Sequence, residues 1–178
     1  MLLELYKSEE KLADTPLLFF AGQISQDKEY SDFQSLIKEL DLSDWVYELG
    51  FVSNEELGAL YANCQALCFL SLYEGFGLTP LEAMSAGAAV ISSNLSAMPE
   101  VLGDAAMLVD PRDLEEVSNA MYFLLNNKSM QRELSELGRT QAAKYTWDRT
   151  AELTYAAYER FAANKSIQKN INCESRAN

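Results

Sequence analysis

The chain has no histidine among its 178 residues. Acid–base chemistry or metal ligation through imidazole is therefore excluded within it. Cysteine is scarce: Cys64, Cys68 and Cys173. Cys64 and Cys68 fall where a helical pattern gives way to an apolar strand, as buried inert thiols do. Without a fourth ligand or a histidine no zinc site is expected, and no cofactor either. The odd thiol count fits a reducing cytosol, so the expected location is cytoplasmic. Basic residues are few, 14 against 27 acidic ones, for a net charge of −13, and none lies between Lys38 and Arg112. That balance argues against nucleic acid as a partner, because a phosphate backbone needs a basic face. No apolar run reaches the length of a transmembrane segment. The start, Met1 to Lys7, lacks the basic residues and apolar stretch of a signal peptide.

What is present is an ordinary globular composition, 48% hydrophobic and 23% charged, enough for one domain with a sizeable core. Short apolar runs alternate with helical patterns. A helix is expected over residues 1–13, a strand over Leu17–Ala21, an amphipathic helix over Ile24–Leu40, and a strand over Trp45–Leu49. Ser53 and Glu56 form a capping box that opens a helix to Asn63. Further strands are expected at Ala66–Leu72, Ala89–Ser92 and Ala106–Val109, with a short helix near Pro99. Helices follow from Asp113, from Ser129 to Tyr145, and from Trp147, capped by Thr146, to Ala162. Strands alternating with helices predict an α/β fold with a mostly parallel sheet covered by helices on both faces. The domain is expected to occupy residues 1–162, and the polar residues 163–178 a disordered tail. Trp147, Tyr155, Tyr158 and Phe161 form an aromatic stripe that either packs on this domain or faces another.

The stretch Ser71-Leu72-Tyr73-Glu74-Gly75-Phe76-Gly77-Leu78-Thr79-Pro80-Leu81-Glu82-Ala83-Met84 carries the chemistry. Glu74 stands in the loop at the carboxyl end of a strand, the place where open α/β sheets bind ligands. Gly75 and Gly77 strip side chains from the loop, so backbone N–H groups can approach an anion. Thr79 reads as the N-cap of the next helix, Pro80 as its first residue, and Glu82 as the partner in a capping box. Gly87 ends the helix. A carboxylate on either side of a helix N-terminus suits a ligand with phosphate in its middle and hydroxyls at both ends. Glu82 also has a plain structural reading as a capping residue, and the two roles are compatible because a carboxylate has several acceptor sites.

These residues resemble the group 1 family of retaining, sugar-nucleotide-dependent glycosyltransferases with the two-Rossmann-domain GT-B fold. The family's two glutamates, with seven residues between them, match Glu74 and Glu82. Other motifs match in order: Leu49 to Leu57, Glu82 to Ser93, Pro99 to Ala106, and Val109 to Pro111. The resemblance extends from about Leu17 to about Phe161.

The resemblance implies a Rossmann-like domain forming one half of a GT-B enzyme, with a nucleotide-sugar donor as ligand. Glu74 would contact donor-sugar hydroxyls and act as the catalytic carboxylate. The backbone of Gly75, Phe76 and Gly77 would line the sugar. The N–H groups of Leu78 and Thr79 would hold the diphosphate, and Glu82 would accept from the ribose hydroxyls. Phe51, Val52 and Ser53 would border the base. Family members carry an Arg and a Lys on a strand–loop that opens this half. That segment and the acceptor-binding N-terminal half are expected to be missing, the latter supplied in cis or in trans. Lys7 and Lys11 are poor substitutes. The chain is then a donor half of an enzyme, a non-catalytic subunit of a split enzyme, or an inactive fragment.

Overall fold

A computed structural model describes residues 15–26 and 28–174, with side chains described as far as Ala162. The helix expected over residues 1–13, with Lys7 and Lys11, lies outside the described residues. Two compact units divide the chain after Gln141.

In the first unit the elements run β1 (Leu18–Ala21), a 3₁₀ turn (Ile24–Gln26), α1 (Tyr30–Glu39), β2 (Val46–Gly50), α2 (Asn54–Asn63), β3 (Leu67–Phe69), α3 (Leu78–Ala86), β4 (Val90–Ser93), α4 (Met98–Leu102), β5 (Met107–Val109), α5 (Leu114–Asn126) and α6 (Lys128–Ala142). Among the described residues every strand pairing is parallel. The α/β class read from the alternation stands, as does the Rossmann-like character that the resemblance implies, but the strands form two ladders, β1-β2 and β3-β4-β5. The single helix expected over Ile24–Leu40 is a 3₁₀ turn followed by α1. Gln23 to Glu29 carries only Ile24 as an apolar residue, so no buried stripe supports a helix there.

The core lies on the three-stranded ladder. Residues Val90 to Ser93 of β4 are all fully buried. Ala89, Ile91 and Val109 pack with Val117, Ala120 and Leu124 of α5 and Leu134 of α6. Val90 and Ile91 are apolar on both faces, as a central covered strand requires, while the buried hydroxyls of Ser92 and Ser93 are hydrogen-bonded to the Phe69 carbonyl and the Leu95 N–H. Over α3, Met84, Met98 and Leu102 are fully buried, and Gly138 of α6 comes so close that a Cβ there would meet Met84 Cγ at 3.0 Å. The β1-β2 ladder is more open: Phe20 packs edge-on against Phe33 of α1, while Phe19 stacks on Tyr47 and both stay exposed.

The capping box on α2 forms as the sequence predicts. Ser53 Oγ accepts from the Glu56 N–H at 3.3 Å, and the Glu56 carboxylate accepts from the Ser53 N–H at 2.8 Å. The Ser53 N–H first, and then the Ser53 hydroxyl, which donates to the same carboxylate at 2.8 Å, hold the Glu56 carboxyl below its ordinary value of 4.5. A carboxylate with a lowered pKa in the folded state stabilises above the unfolded pKa, and that stability is lost as pH falls through the folded value. The wild-type chain is therefore expected to lose thermal stability below about pH 4.5 more steeply than Glu56→Gln. Melting temperatures of both proteins across that range test this; parallel curves would refute it.

The second unit is dominated by α7 (Trp147–Glu174). Thr146 caps it as expected, its Oγ1 accepting from the Arg149 N–H at 3.1 Å. The helix, expected to stop near Ala162, continues to Glu174. Trp147, Tyr155, Tyr158 and Phe161 are exposed.

Candidate functional site

The loop from the end of β3 to the start of α3 carries Glu74, Gly75, Phe76 and Gly77. It is held from the side by the loop between β4 and α4. Ser92, fully buried, donates its hydroxyl to the Phe69 carbonyl at 3.1 Å, fixing the end of β3. Ser96 donates its hydroxyl to the Glu74 carbonyl at 2.6 Å, and the Glu74 N–H donates back to the same oxygen at 3.2 Å. Both bonds use the main chain of Glu74 and leave its carboxylate out. Further along, a Cβ at Gly77 would collide with Met98 Cε and lie 3.3 Å from its Sδ. The β4–α4 loop thus grips the glutamate loop at Glu74, and the first residue of α4 packs on it at Gly77.

Helix α3 begins two residues earlier than the sequence suggests. Its N-cap is Gly77, at φ 107° and ψ 49°, and no side chain caps it. Thr79 is therefore not the N-cap, and it forms no capping box with Glu82. The physical reason is the left-handed backbone of Gly77, which turns the chain into the helix before Thr79 is reached. Leu78 and Thr79 occupy the first two helical positions and Pro80 the third. The N–H groups of Leu78 and Thr79 have no intrahelical acceptor, and Pro80 has no N–H. The positive end of the helix dipole lies at the same point. These are the two donors that the family resemblance assigns to a diphosphate.

Glu82 is exposed on α3. Its neighbour on α2 is Tyr61, a buried residue that sequence reasoning missed. Burial chiefly, and then the negative charge of Glu82, push the Tyr61 phenol above its ordinary value. Tyr61 showed no signal beyond an apolar position on a helix, because its proximity to Glu82 arises from packing of α2 on α3.

Phe51, Val52 and Ser53 lie between β2 and α2. Phe51 is strongly exposed, and with Val52 it lines an open cavity of about 630 Å³ between the β1-β2 ladder and α2. Phe19, Leu49, Ala59 and Leu60 give that cavity its apolar walls. Ser53 does not line it; its hydroxyl is held in the capping box with Glu56, which does. None of Glu74, Gly75, Phe76, Gly77 or Glu82 borders this cavity. The site residues thus fall into the glutamate loop with the start of α3, and the Phe51–Val52 wall.

Cys68 is pushed up to about 12 by burial, with Cys64 a smaller cause, so it stays a neutral thiol. Cys64 donates to the Tyr61 carbonyl at 3.4 Å. Among the described residues, no cluster of acidic and thiol side chains forms a metal site, and no helix is long and apolar enough to cross a membrane.

Residues 1–141 match the family described as glycosyl transferases group 1. The chain belongs to that family. Among group 1 relatives, the serotype-specific mannosyltransferase WbdA of Escherichia coli is 40% identical over 111 residues, covering 62% of this chain and 14% of the relative. The MMP alpha-(1->4)-mannosyltransferase of Mycolicibacterium hassiacum is 39% identical over 134 residues, covering 73% and 33%. The chain therefore spans a third or less of the length of these relatives. Sucrose-phosphate synthase from Thermosynechococcus elongatus shares its fold with a TM-score of 0.71 at 25% identity, over 84% of this chain and 39% of that one. Anabaena HepE, solved with UDP and glucose, shares it with a TM-score of 0.71 at 19% identity, over 81% and 40%.

Proposed function

We propose that this chain is the donor-binding domain of a hexosyltransferase that moves a sugar from a nucleotide-diphosphate sugar to an acceptor hydroxyl with retention. The observation that carries the reading is the start of α3. Two unpaired N–H groups, on Leu78 and Thr79, stand at a helix N-terminus between the loop carboxylate of Glu74 and the helix carboxylate of Glu82. A diphosphate accepts from the N–H pair. A ribose donates hydroxyl protons to Glu82, and the hexose donates to Glu74. The apolar wall of Phe51 and Val52 takes the base. Membership of the group 1 family supports this assignment, as do relatives named as mannosyltransferases.

In this reading catalysis rests on placing the donor and stabilising the diphosphate as it leaves. The site itself offers no cation, since residues 39–111 contain no Lys or Arg. Basic groups come from the strand–loop that opens this half in the family, and the acceptor site from an N-terminal Rossmann half, in cis or in trans, working in the cytoplasm. The same lack of cations supports a second reading, in which this chain serves only as the nucleotide-sugar-binding subunit of a split enzyme.

Ligand-observed NMR on the chain with UDP, GDP and ADP, each alone and as a hexose conjugate, tests the proposal. One nucleotide is expected to bind saturably, with its hexose form binding more tightly. Absence of saturable binding for all six at about 10 mM, a concentration that detects very weak complexes, would sink it.

A further inference from the structure

We infer that Ser96 is a positioning residue that sets where Glu74 stands; the functional part of this inference rests on the donor-binding reading above. Ser96 is one of two described non-glycine residues with positive φ, at 59°. Such a backbone is disfavoured for a residue with a Cβ and persists where surrounding structure fixes it. What fixes it is visible. The hydroxyl bridges the carbonyl and the N–H of Glu74, 22 positions away in sequence. A right-handed backbone at residue 96 would swing the hydroxyl away from that main chain.

The anchorage behind Ser96 is rigid. Ser93 is fully buried at the end of β4 and accepts the Leu95 N–H at 3.1 Å. The Asn94 N–H donates to the Val109 carbonyl of β5 at 2.8 Å. Met98, two residues beyond Ser96, is fully buried. Residue 96 is thus the exposed crest of a short turn whose two feet stand in the core. Glu74, by contrast, sits in an irregular loop and has no strand or helix pairing of its own. The hydroxyl of Ser96 supplies the fixed point that this loop lacks, while the carboxylate stays available to a ligand.

Two measurements on the full chain separate this from a merely structural role. The first is hydrogen exchange at the Glu74 amide by NMR. Ser96→Ala keeps the Cβ and removes the clamp, so exchange is expected to speed up about ten-fold, the loss of roughly one hydrogen bond. Unchanged exchange would overturn the inference. The second compares a nucleoside diphosphate with its hexose conjugate, using the base the wild type prefers. The sugar adds affinity through Glu74, so Ser96→Ala is expected to lose that increment while binding the bare diphosphate as before. Ser96→Gly, which also relieves the left-handed backbone, is expected to match or exceed the wild-type melting temperature and still lose the increment. In a Glu74→Ala background, Ser96→Ala is expected to change nothing further. Retention of the increment in both Ser96 variants, or equal losses for bare and conjugated diphosphate, would overturn the positioning role. Faster exchange in Ser96→Ala, with a wild type that binds no diphosphate, would keep the clamp and discard the donor-binding reading instead.

Discussion

Gly77→Ala is expected to destabilise the chain by about 2–3 kcal/mol, and Gly75→Ala by less than about 0.5 kcal/mol. The two glycines look alike in sequence, flanking Phe76 on either side. Their surroundings differ. A Cβ at Gly75 meets nothing within 4 Å, and its φ lies outside the positive region. At Gly77 the backbone stands at φ 107°, where any side chain is strained, and the added atom falls on the end of Met98. Met98 is a flexible side chain, but it is fully buried and has little room to retreat. Strain and overpacking therefore add at one position and are both missing at the other. Chemical denaturation of the two variants beside the wild type measures the difference. Equal losses would mean that the turn is not fixed by Gly77.

Glu82→Ala is expected to weaken nucleotide binding by about ten- to a hundred-fold while leaving stability within about 0.5 kcal/mol. The argument depends on what Glu82 does not do. It is exposed and takes no part in a side-chain cap of α3. A capping glutamate would cost stability when removed, as a cap typically does. A ligand-binding glutamate on an otherwise complete helix costs affinity alone. Glu82→Gln separates charge from shape, since the amide still accepts one hydrogen bond but without charge assistance. It is expected to fall between wild type and alanine. Titration of the preferred nucleotide together with thermal melts decides between the roles: a lowered melting temperature with unchanged affinity would assign Glu82 to structure.

Local rules carried much of the fold. Ser53 and Glu56, three apart ahead of an apolar helix, form the capping box that the pattern predicts. Gly87 ends α3 in a left-handed conformation, and Asp113 and Thr146 cap α5 and α7. The same rule failed at Thr79. The capping-box pattern is present there, but a left-handed glycine two residues earlier turns the chain first, and nothing in residue type alone reveals that order of events. The split into two ladders was also out of reach, because apolar runs report burial and not which strand pairs with which. Of the candidate site, the sequence showed the residues that carry charge or lack a side chain. It did not show Ser96, Tyr61 or Met98. Each of these acts across 20 or more positions of chain, and each belongs to a residue type with many ordinary uses.

Helix α3 is latched at both ends. At its start Gly77 lies over Met98. At its end the Arg139 guanidinium donates to the Ala86 carbonyl at 3.2 Å and fills the space where a Cβ of Gly87 would stand. Between the two, Gly138 presses on Met84. A helix so fixed has no freedom of register. One residue inserted or deleted between Gly77 and Glu82 would rotate that carboxylate by about 100° around the axis, toward a different neighbour. Divergence on this frame is therefore channelled: new ligand preferences can arise by exchanging side chains in the flanking loops, whereas insertions and deletions inside α3 are dead ends.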